Sequence, residues 1–176
     1  TYKSVYGEVT IGEYYSLYAG DYAIVHVTEA ADLNALITKY RSENLAAAKA
    51  YYERFHDYDF TTADYRTFTS AYSTLKSNQN SATTFKELMD SFDADYAALQ
   101  AAGANALDHA AIIAAIRKNL SYLPDDLSTL TAGNKDLVEE VQAAYAALNS
   151  YQKSLLTANE KATLEELAAI KTEELP

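Results

Sequence analysis

The residues that could do chemistry in this chain are few and lie far apart. Its three histidines are His26, His56 and His109, and none is spaced four residues from another, as the ligands of a helical zinc motif are. Cysteine is absent, which excludes disulfide bonds, thiolate metal ligands and a cysteine nucleophile. We therefore expect the chain to bind no metal and to carry no cofactor.

The sequence His56-Asp57-Tyr58-Asp59 is the one local cluster of polar, chemically capable residues. Asp57 and Asp59 could donate oxygens to Ca²⁺, which takes about six to eight oxygen ligands. No further acidic residues follow at the spacing of a calcium-binding loop, and Asp side chains commonly cap and solvate turns. We interpret both residues as parts of a turn and predict no metal site.

Acidic residues are numerous but form no facing pair. Glu139 and Glu140 are neighbours, as are Glu165 and Glu166, so each pair diverges by about 100° around a helix. A solvated helix face explains them better than general acid–base catalysis does. The chain also contains no GxSxG motif, no phosphate-binding glycine loop and no HExxH motif. We predict that the protein is not an enzyme.

Tyrosine is the one unusual abundance, with sixteen residues. An exposed group of them could bind a sugar or a protein, because a tyrosine ring joins a large apolar surface to a polar hydroxyl. Packing at the edge of an Ala-rich core is the alternative, and we favour it for most of them. Tyr15 and Tyr52 fit the apolar stripes least well. The candidate binding residues are Tyr14, Tyr15, Tyr18, Tyr52 and Tyr58.

Composition narrows the class of protein further. The net charge is −11 and the pI is near 4.6, which makes nucleic acid an improbable partner and disfavours anionic membrane surfaces. No stretch of about 20 apolar residues exists, so we predict no membrane insertion by this segment. Only five Gly and two Pro are present, which suits long helices better than a sandwich or barrel. We predict an all-α fold.

Residues 1–27 are the hardest part of the chain to interpret. Thr10 and Glu13 are spaced as a capping box, which predicts a short helix through Tyr14 and Tyr18 that ends at Gly20. The following residues 22–27 are rich in β-branched side chains and fit either a strand or a buried helix. A strand needs a partner, and residues 5–11 are the only candidate, so we favour helix or extended cover that packs on the first bundle.

Residues 28–103 read as three helices with short connections. The first spans residues 28–56, as one long helix or as two with a kink at residues 42–44, and is capped by Thr28 or Asp32. The next two begin at the capping pairs Thr61/Asp64 and Thr84/Glu87. The second helix ends at residues 78–80, and Gly103 stops the third. This order predicts an up-down-up bundle, whose large aromatic core residues include Phe68 and Phe92.

Residues 104–176 predict a second helical bundle. A helix over residues 104–120 is followed by a break at Pro124. Asn134 then caps a helix, residues 151–156 form a short one, and Thr157/Glu160 is the capping pair of the last. We predict two tandem three-helix-like bundles in an elongated arrangement, divided near Gly103 and joined by a rigid junction or a near-continuous helix.

Two stretches resemble known helical modules. Phe60-Thr61-Thr62-Ala63-Asp64-Tyr65, with Phe68, Ala71 and Tyr72, resembles the turn and second helix of FIVAR modules of Gram-positive surface proteins. Asn80-Ser81-Ala82-Thr83, with Leu88 and Leu99, resembles the entry to the third helix of that family. The likeness covers about residues 45–102. The first helix departs from the family, since it is longer and rich in Tyr.

The second resemblance covers about residues 119–172. Leu123-Pro124, Ala144-Tyr145, Leu148 and Tyr151-Gln152-Lys153 resemble another small helical repeat of large Gram-positive surface proteins, in which Leu-Pro precedes an Ala-rich helix and a Gln-Lys turn. Together the resemblances imply an excised segment of a bacterial cell-surface or secreted multidomain protein. They imply a helical spacer whose partners are other domains of that protein, or alternatively an adhesin-type module for host protein or carbohydrate.

Overall fold

A computed structural model describes the chain at residues 15–19, 23–27 and 30–176, with side chains from Leu33 onward. From residue 30 on the described chain is helical, which confirms the all-α prediction for this part. The helices are α1 (Ala30–Tyr52), α2 (Thr62–Ser81), α3 (Phe85–Gly103), α4 (His109–Leu120), α5 (Lys135–Ala147), α6 (Ser150–Ser154) and α7 (Ala158–Ala168). Short 3-10 turns are Asp57–Asp59, Leu127–Thr129, Ala132–Asn134 and Thr172–Glu174.

A two-stranded antiparallel hairpin precedes α1. Strand β1 (Tyr15–Ala19) pairs with β2 (Ala23–Val27), so that Tyr15 lies opposite Val27. The predicted short helix is therefore wrong for residues 15–19, because aromatic and β-branched residues are as compatible with paired strands as with a helix. The predicted strand partner at residues 5–11, the Thr10/Glu13 pair and Thr28 lie outside the described residues.

Helices α1, α2 and α3 pack as a bundle with two separate apolar cores. The Phe85 core consists of Ile37, Ala82, Phe85, Leu88 and Met89. The Phe68 core consists of Ala48, Phe60, Phe68, Leu75, Leu99 and Ala102. Along α1 and α3 the Phe85 core comes first and the Phe68 core second, whereas α2 runs the other way. The three helices therefore run up, down and up, as predicted.

The first predicted helix is one long helix without a kink, and the second ends one residue after the predicted end at residues 78–80. Helix α1 continues without a break through residues 42–44, and α2 continues through residues 78–80 to Ser81. The polar residues Asn44 and Gln79, which suggested the kink and the helix end, are instead buried inside the bundle. Their hydrogen bonds, described below, compensate the cost of placing amides in an apolar interior.

The predicted capping residues begin three helices. Thr61 Oγ1 accepts a hydrogen bond from the Asp64 amide (3.1 Å) and starts α2. Thr84 and Glu87 form a reciprocal capping box, as do Thr157 and Glu160. These pairs satisfy backbone N–H groups that have no partner within the first helical turn. The sequence therefore located the starts of α2, α3 and α7 correctly.

Asn134 acts differently from its predicted role. It precedes α5, but its side chain makes no capping hydrogen bond to that helix. Instead its Oδ1 accepts from the Thr131 amide at 3.0 Å and closes the 3-10 turn just before α5. Asp126 and Thr131 organise the connection from α4 to α5 in this local way, while Leu130 anchors it in the core.

Gly103 ends α3, as predicted, but for a different reason. The next residue, Ala104, keeps a right-handed backbone (φ −67°, ψ −16°), so no left-handed glycine cap is present. A Cβ at Gly103 would overlap Tyr51 Oη and lie 3.0 Å from the ring atoms Cε1 and Cζ. A larger residue at this position would therefore displace the Tyr51 side chain, which packs on the backbone of α3.

Helices α4 to α7 form a second group around their own core. Its buried side chains are Ile113, Ile116, Leu123, Leu130, Val138, Val141, Leu148, Leu156, Leu164 and Leu167. The chain divides into two compact units, with the described residues up to Ala106 in one and residues Leu107–Pro176 in the other. Residues 104–108 between α3 and α4 are not helical, so the expected near-continuous helix at the junction is wrong.

Candidate functional site

The structure distributes the candidate tyrosines over different parts of the chain. Tyr14 lies outside the described residues, and Tyr15 and Tyr18 belong to strand β1. Tyr52 is at the end of α1 and Tyr58 is in the 3-10 turn that follows. The last two are half-buried, so neither presents a fully open ring to a ligand.

Tyr52 is part of a stack of four rings that we call the aromatic column. Phe60 stacks on Phe68 (centroids 4.8 Å apart), Phe68 on Tyr52 (5.1 Å) and Tyr52 on Tyr72 (4.2 Å). The Lys76 ammonium lies 4.3 Å from the centroid of the last ring, where it makes a cation–π contact. Tyr52 thus stacks nearly parallel with two other rings, which makes it a packing residue of the bundle.

The hydroxyl of Tyr52 is also engaged. Its hydrogen bond with Tyr65, followed by burial and by the charges of neighbouring phenols, raises the pKa of Tyr52 to about 12. The group is therefore neutral at physiological pH. The sequence predicted Tyr52 to be among the more exposed tyrosines, but the structure places it half inside the Phe68 core.

Tyr122 is the tyrosine that sequence reasoning missed. Its side chain is 63% exposed, and Leu155 is the other large apolar side chain exposed in the described part of the chain. Tyr122 follows α4 directly, one residue before the buried Leu123. Its position just before Leu123-Pro124, where the helix must end, was the signal that could have identified it.

The cluster from His56 to Asp59 forms a 3-10 turn with hydrogen bonds of its own. The Asp59 carboxylate accepts a hydrogen bond from the His56 amide (2.7 Å), and Asp57 Oδ1 accepts from the Tyr58 amide (2.8 Å). The His56 imidazole stacks on the Tyr58 ring with centroids 4.7 Å apart. Each carboxylate thus accepts a hydrogen bond from a backbone amide of the turn.

A set of buried and half-buried polar side chains crosses the first bundle, and we call it the polar layer. It consists of Arg41, Asn44, Gln79 and Ser91. Asn44 Nδ2 donates to Gln79 Oε1 (2.9 Å), and Gln79 Nε2 donates to the Leu88 carbonyl (2.9 Å) and to Ser91 Oγ (3.1 Å). Gln79 is fully buried. One amide therefore connects all three helices.

Arg41 attaches α1 to the end of α2. Its Nε donates to the carbonyl of Gln79 (2.8 Å) and its Nη2 to the carbonyl of Ala82 (2.6 Å). These carbonyls belong to the last turn of α2, where backbone acceptors have no helical partner. The sequence signal for the polar layer was present, since Asn44 and Gln79 each lie four residues from a buried core residue (Ala48 and Leu75) on the same helix face.

An open cleft of about 670 Å³ lies beside the turn between α2 and α3. It is lined by Asn78, Ser81, Ala82, Thr84, Lys86, Glu87, Asp90 and Ser91. Its polar groups mostly pair with one another. Lys86 pairs with Asp90, and Glu87 accepts from the amides of Thr83 (3.0 Å) and Thr84 (3.3 Å). The hydrogen bonds from Thr83, first of all, lower the pKa of Glu87.

An ion pair joins two helices of the second unit. Arg117 on α4 donates from Nε to Glu160 Oε1 (2.7 Å) and from Nη2 to Oε2 (3.2 Å). Glu160 also accepts from the Thr157 amide at 2.8 Å as part of the capping box. The hydrogen bond from Arg117, and then that from Thr157, lower the pKa of Glu160 to about 2. This arrangement fixes the start of α7 against α4.

The adjacent carboxylates Glu139 and Glu140 diverge as predicted. Glu139 accepts from the Thr172 hydroxyl (2.6 Å), whereas Glu140 accepts from the Asn119 side chain (2.9 Å). Each therefore contacts a different neighbouring segment of the second unit. Their separation makes a facing acid–base pair impossible for these two side chains.

Metal sites and membrane-spanning helices are two further possibilities to consider for the described residues. No group of three or more His, Asp or Glu side chains in this part of the chain is arranged to hold a metal ion. No helix among the described residues is long and apolar enough to cross a membrane. The polar side chains that the structure brings together therefore connect helices and turns.

Comparison with known proteins adds no relative. The chain matches no protein-family model, no curated protein and no solved structure. We therefore infer the function from the chain's own sequence and geometry.

Proposed function

We propose that this chain is a non-catalytic helical spacer of a Gram-positive cell-surface or secreted multidomain protein. The observation that carries the proposal is the direction of the chain through the first bundle. It enters α1 at the Phe85 core and leaves α3 at the Phe68 core, so its entry and exit lie at opposite ends. Helices of about 20 residues advance the chain by roughly 30 Å. A bundle of this kind separates whatever precedes it from whatever follows it.

The resemblances to FIVAR modules and to the second surface repeat support the same proposal. They imply an extracellular location, and the absence of cysteine is compatible with it. In this proposal the two bundles stand in tandem and are elongated, and their partners are the neighbouring domains of the same protein. The alternative, an adhesin-type module for host protein or glycan, would use Tyr14, Tyr15, Tyr18 or Tyr58, since Tyr52 is occupied by stacking.

Small-angle X-ray scattering of the chain tests the elongated arrangement. A compact globule of 176 residues has a radius of gyration of about 16 Å, and we expect a clearly larger value together with an asymmetric distance distribution. A radius near that of the compact globule would contradict a spacer built from tandem bundles.

A binding survey separates the spacer from the adhesin. The chain is tested on a glycan array and, by surface plasmon resonance, against extracellular matrix and plasma proteins. We expect no saturable binding with a Kd tighter than about 100 µM. Saturable binding that is lost when Tyr14, Tyr15, Tyr18 and Tyr58 are replaced by Ser, but kept in a Tyr122→Ser control, would favour the adhesin and overturn the spacer.

A further inference from the structure

The polar layer divides the core of the first bundle into two. On α1, Asn44 lies between Ile37 of the Phe85 core and Ala48 of the Phe68 core. On α2, Gln79 lies between Leu75 and Ala82 in the same way. Ser91 on α3 follows the Phe85 core and precedes the Phe68 core. All three helices thus place a polar side chain at one level of the bundle, with apolar packing on either side.

Apolar packing and amide hydrogen bonds resist sliding differently. Apolar contacts are non-directional, and a slide of α1 by one helical turn, about 5.4 Å, brings apolar side chains against apolar side chains again. The Asn44–Gln79 hydrogen bond is 2.9 Å long and would be lost within about 2 Å of sliding, well short of one helical turn, because such bonds end near 3.5 Å. The polar layer therefore specifies one register of α1 against α2 and α3.

The path of the chain makes that register mechanically important. A pull through the ends of the first bundle acts on the start of α1 at the Phe85 core and on the end of α3 at the Phe68 core. Such a pull draws α1 lengthwise along the other two helices. Asn44 and Arg41, both on α1, make hydrogen bonds across to α2 at Gln79 and Ala82 that directly oppose this movement.

We propose that the polar layer is a register clamp that holds α1 against sliding when the first bundle is under tension. The proposal rests on the spacer function and adds a property to it, namely that this unit transmits force between the domains on either side. It assigns to Asn44, Gln79 and Arg41 a contribution to the barrier against forced unfolding that exceeds their contribution to equilibrium stability. Buried polar groups are often replaceable by apolar ones without loss of stability, so the two contributions can be separated by experiment.

The test is constant-force unfolding of single molecules of the full chain. The sequence has no cysteine, so one cysteine added at each end attaches the handles uniquely. The key variant is Asn44→Leu combined with Gln79→Met, which replaces both amides by apolar side chains of similar volume. We expect its free energy of unfolding in denaturant to be equal to or higher than that of the parent. We expect the first unit to unfold roughly tenfold faster at the same force, which corresponds to a barrier lower by about 1.4 kcal/mol.

Two controls make the outcome specific. Leu164→Ala, in the core of the second unit, identifies which unfolding event belongs to that unit, and this event must not change in the amide variant. Leu75→Ala, in the Phe68 core, must lower the stability in denaturant and speed unfolding of the first unit together. An amide variant whose first unit unfolds under force as slowly as the parent would overturn the clamp.

A second variant covers the case in which the double amide variant does not fold. Arg41→Met removes the two hydrogen bonds to the end of α2 and leaves the buried amides in place. The same acceleration under force is expected, and its absence contradicts the proposal. Failure of the spacer function would be seen separately, as ligand binding in the survey above, and would not alter the result under force.

Discussion

Phe68 shows how the aromatic residues of this chain are used. Its side chain is fully buried, and its ring contacts Tyr51 and Tyr52 of α1 and Phe60 from the turn before α2. Phe92, predicted to be an equal core residue, is only half-buried and stacks on Tyr96. Helical spacing alone placed both on an apolar stripe, but it could not say which of them lies at the centre, because that depends on the distance between helices.

We expect Phe68→Ala to lower the free energy of unfolding by about 3–5 kcal/mol, because a large cavity remains where the ring stood. Phe92→Ala should cost clearly less, since part of that ring is already exposed. Chemical denaturation followed by circular dichroism measures both. Ser70 is exposed on α2, the helix that carries Phe68. Ser70→Ala is the control, and its free energy of unfolding should stay within about 0.5 kcal/mol of that of the parent. A cost below about 1 kcal/mol for Phe68→Ala would mean that its ring is not in the core.

Glu160 gives the second unit a dependence on pH. Its pKa in the folded chain is about 2, lowered by Arg117 and Thr157 from an ordinary value of 4.5. A lowered folded-state pKa means that the stabilisation is complete above pH 4.5 and is lost as the pH falls toward 2. We expect Glu160→Gln to destabilise the second unit at pH 7 by up to about 1 kcal/mol, through loss of the charge that pairs with Arg117, because Gln can still complete the capping box.

The same variant should lose less stability than the parent between pH 4.5 and pH 2, because it has no carboxylate to protonate at this position. Thermal unfolding at a series of pH values measures the difference. Glu165→Gln, an exposed change on the same helix, should leave the parent profile unaltered. If the stability of Glu160→Gln fell with decreasing pH as steeply as that of the parent, Glu160 would not be the source of this pH dependence.

At the scale of the helices, starts were predictable and interruptions were not. Thr61, Thr84 and Thr157 were recognised because a capping residue satisfies backbone groups within four residues of itself, so the evidence is local. Asn44 suggested a kink that is absent and Gln79 a helix end that lies one residue too early, because the hydrogen bond that lets each amide lie in the interior comes from a residue 35 positions away. The sequence shows the polar side chain, but its partner becomes known only when the helices are packed.

Gly103 provides a test at this scale. Alanine favours a helix over glycine by up to about 1 kcal/mol. If a side chain at position 103 met no other atom, Gly103→Ala would therefore stabilise the protein. We expect the reverse, a loss of about 1–2 kcal/mol, because the new Cβ displaces the packed Tyr51 ring. Unfolding in denaturant shows whether Gly103→Ala lowers or raises the free energy of unfolding.

Two further variants isolate the cause of that loss. Gly133→Ala places its Cβ no closer than 3.5 Å to the Thr131 hydroxyl oxygen, so we expect it to be neutral or slightly stabilising. Tyr51→Phe removes the nearest atom to Gly103, and Gly103→Ala should cost less in that background. Equal costs of Gly103→Ala with and without the Tyr51 hydroxyl would show that another contact is responsible.

At the scale of the whole molecule, two units with separate cores account for the described chain. The number and order of the helices, and a division near the end of α3, follow from periodicity and from short polar connections. The hairpin of β1 and β2 did not, because five-residue strands carry too little pattern to be told from a helix. The stacking that occupies Tyr52 was equally beyond the sequence, since it joins rings from two helices and a turn.

We expect the stability of the two units to be separable. Leu164→Ala should lower hydrogen-exchange protection of amides in residues 109–168 and leave that of residues 62–103 unchanged, because each core is filled by its own helices. Phe68→Ala should give the opposite pattern. Mass spectrometry of exchanged peptides measures both. Loss of protection in both units from either single change would contradict separate cores.

The polar layer has a further consequence for how the first bundle folds. Helices α2 and α3 are joined by a three-residue connection, so they can pair early, and α1 docks onto them from a greater distance along the chain. Docking one turn out of place would leave the Asn44 amide and the Gln79 side-chain oxygen without each other, and a buried polar group without its partner costs about 1–3 kcal/mol. Mispaired intermediates are thus short-lived in the natural sequence. With both amides replaced by apolar residues we expect out-of-place docking to persist long enough to appear as an additional slow phase in refolding.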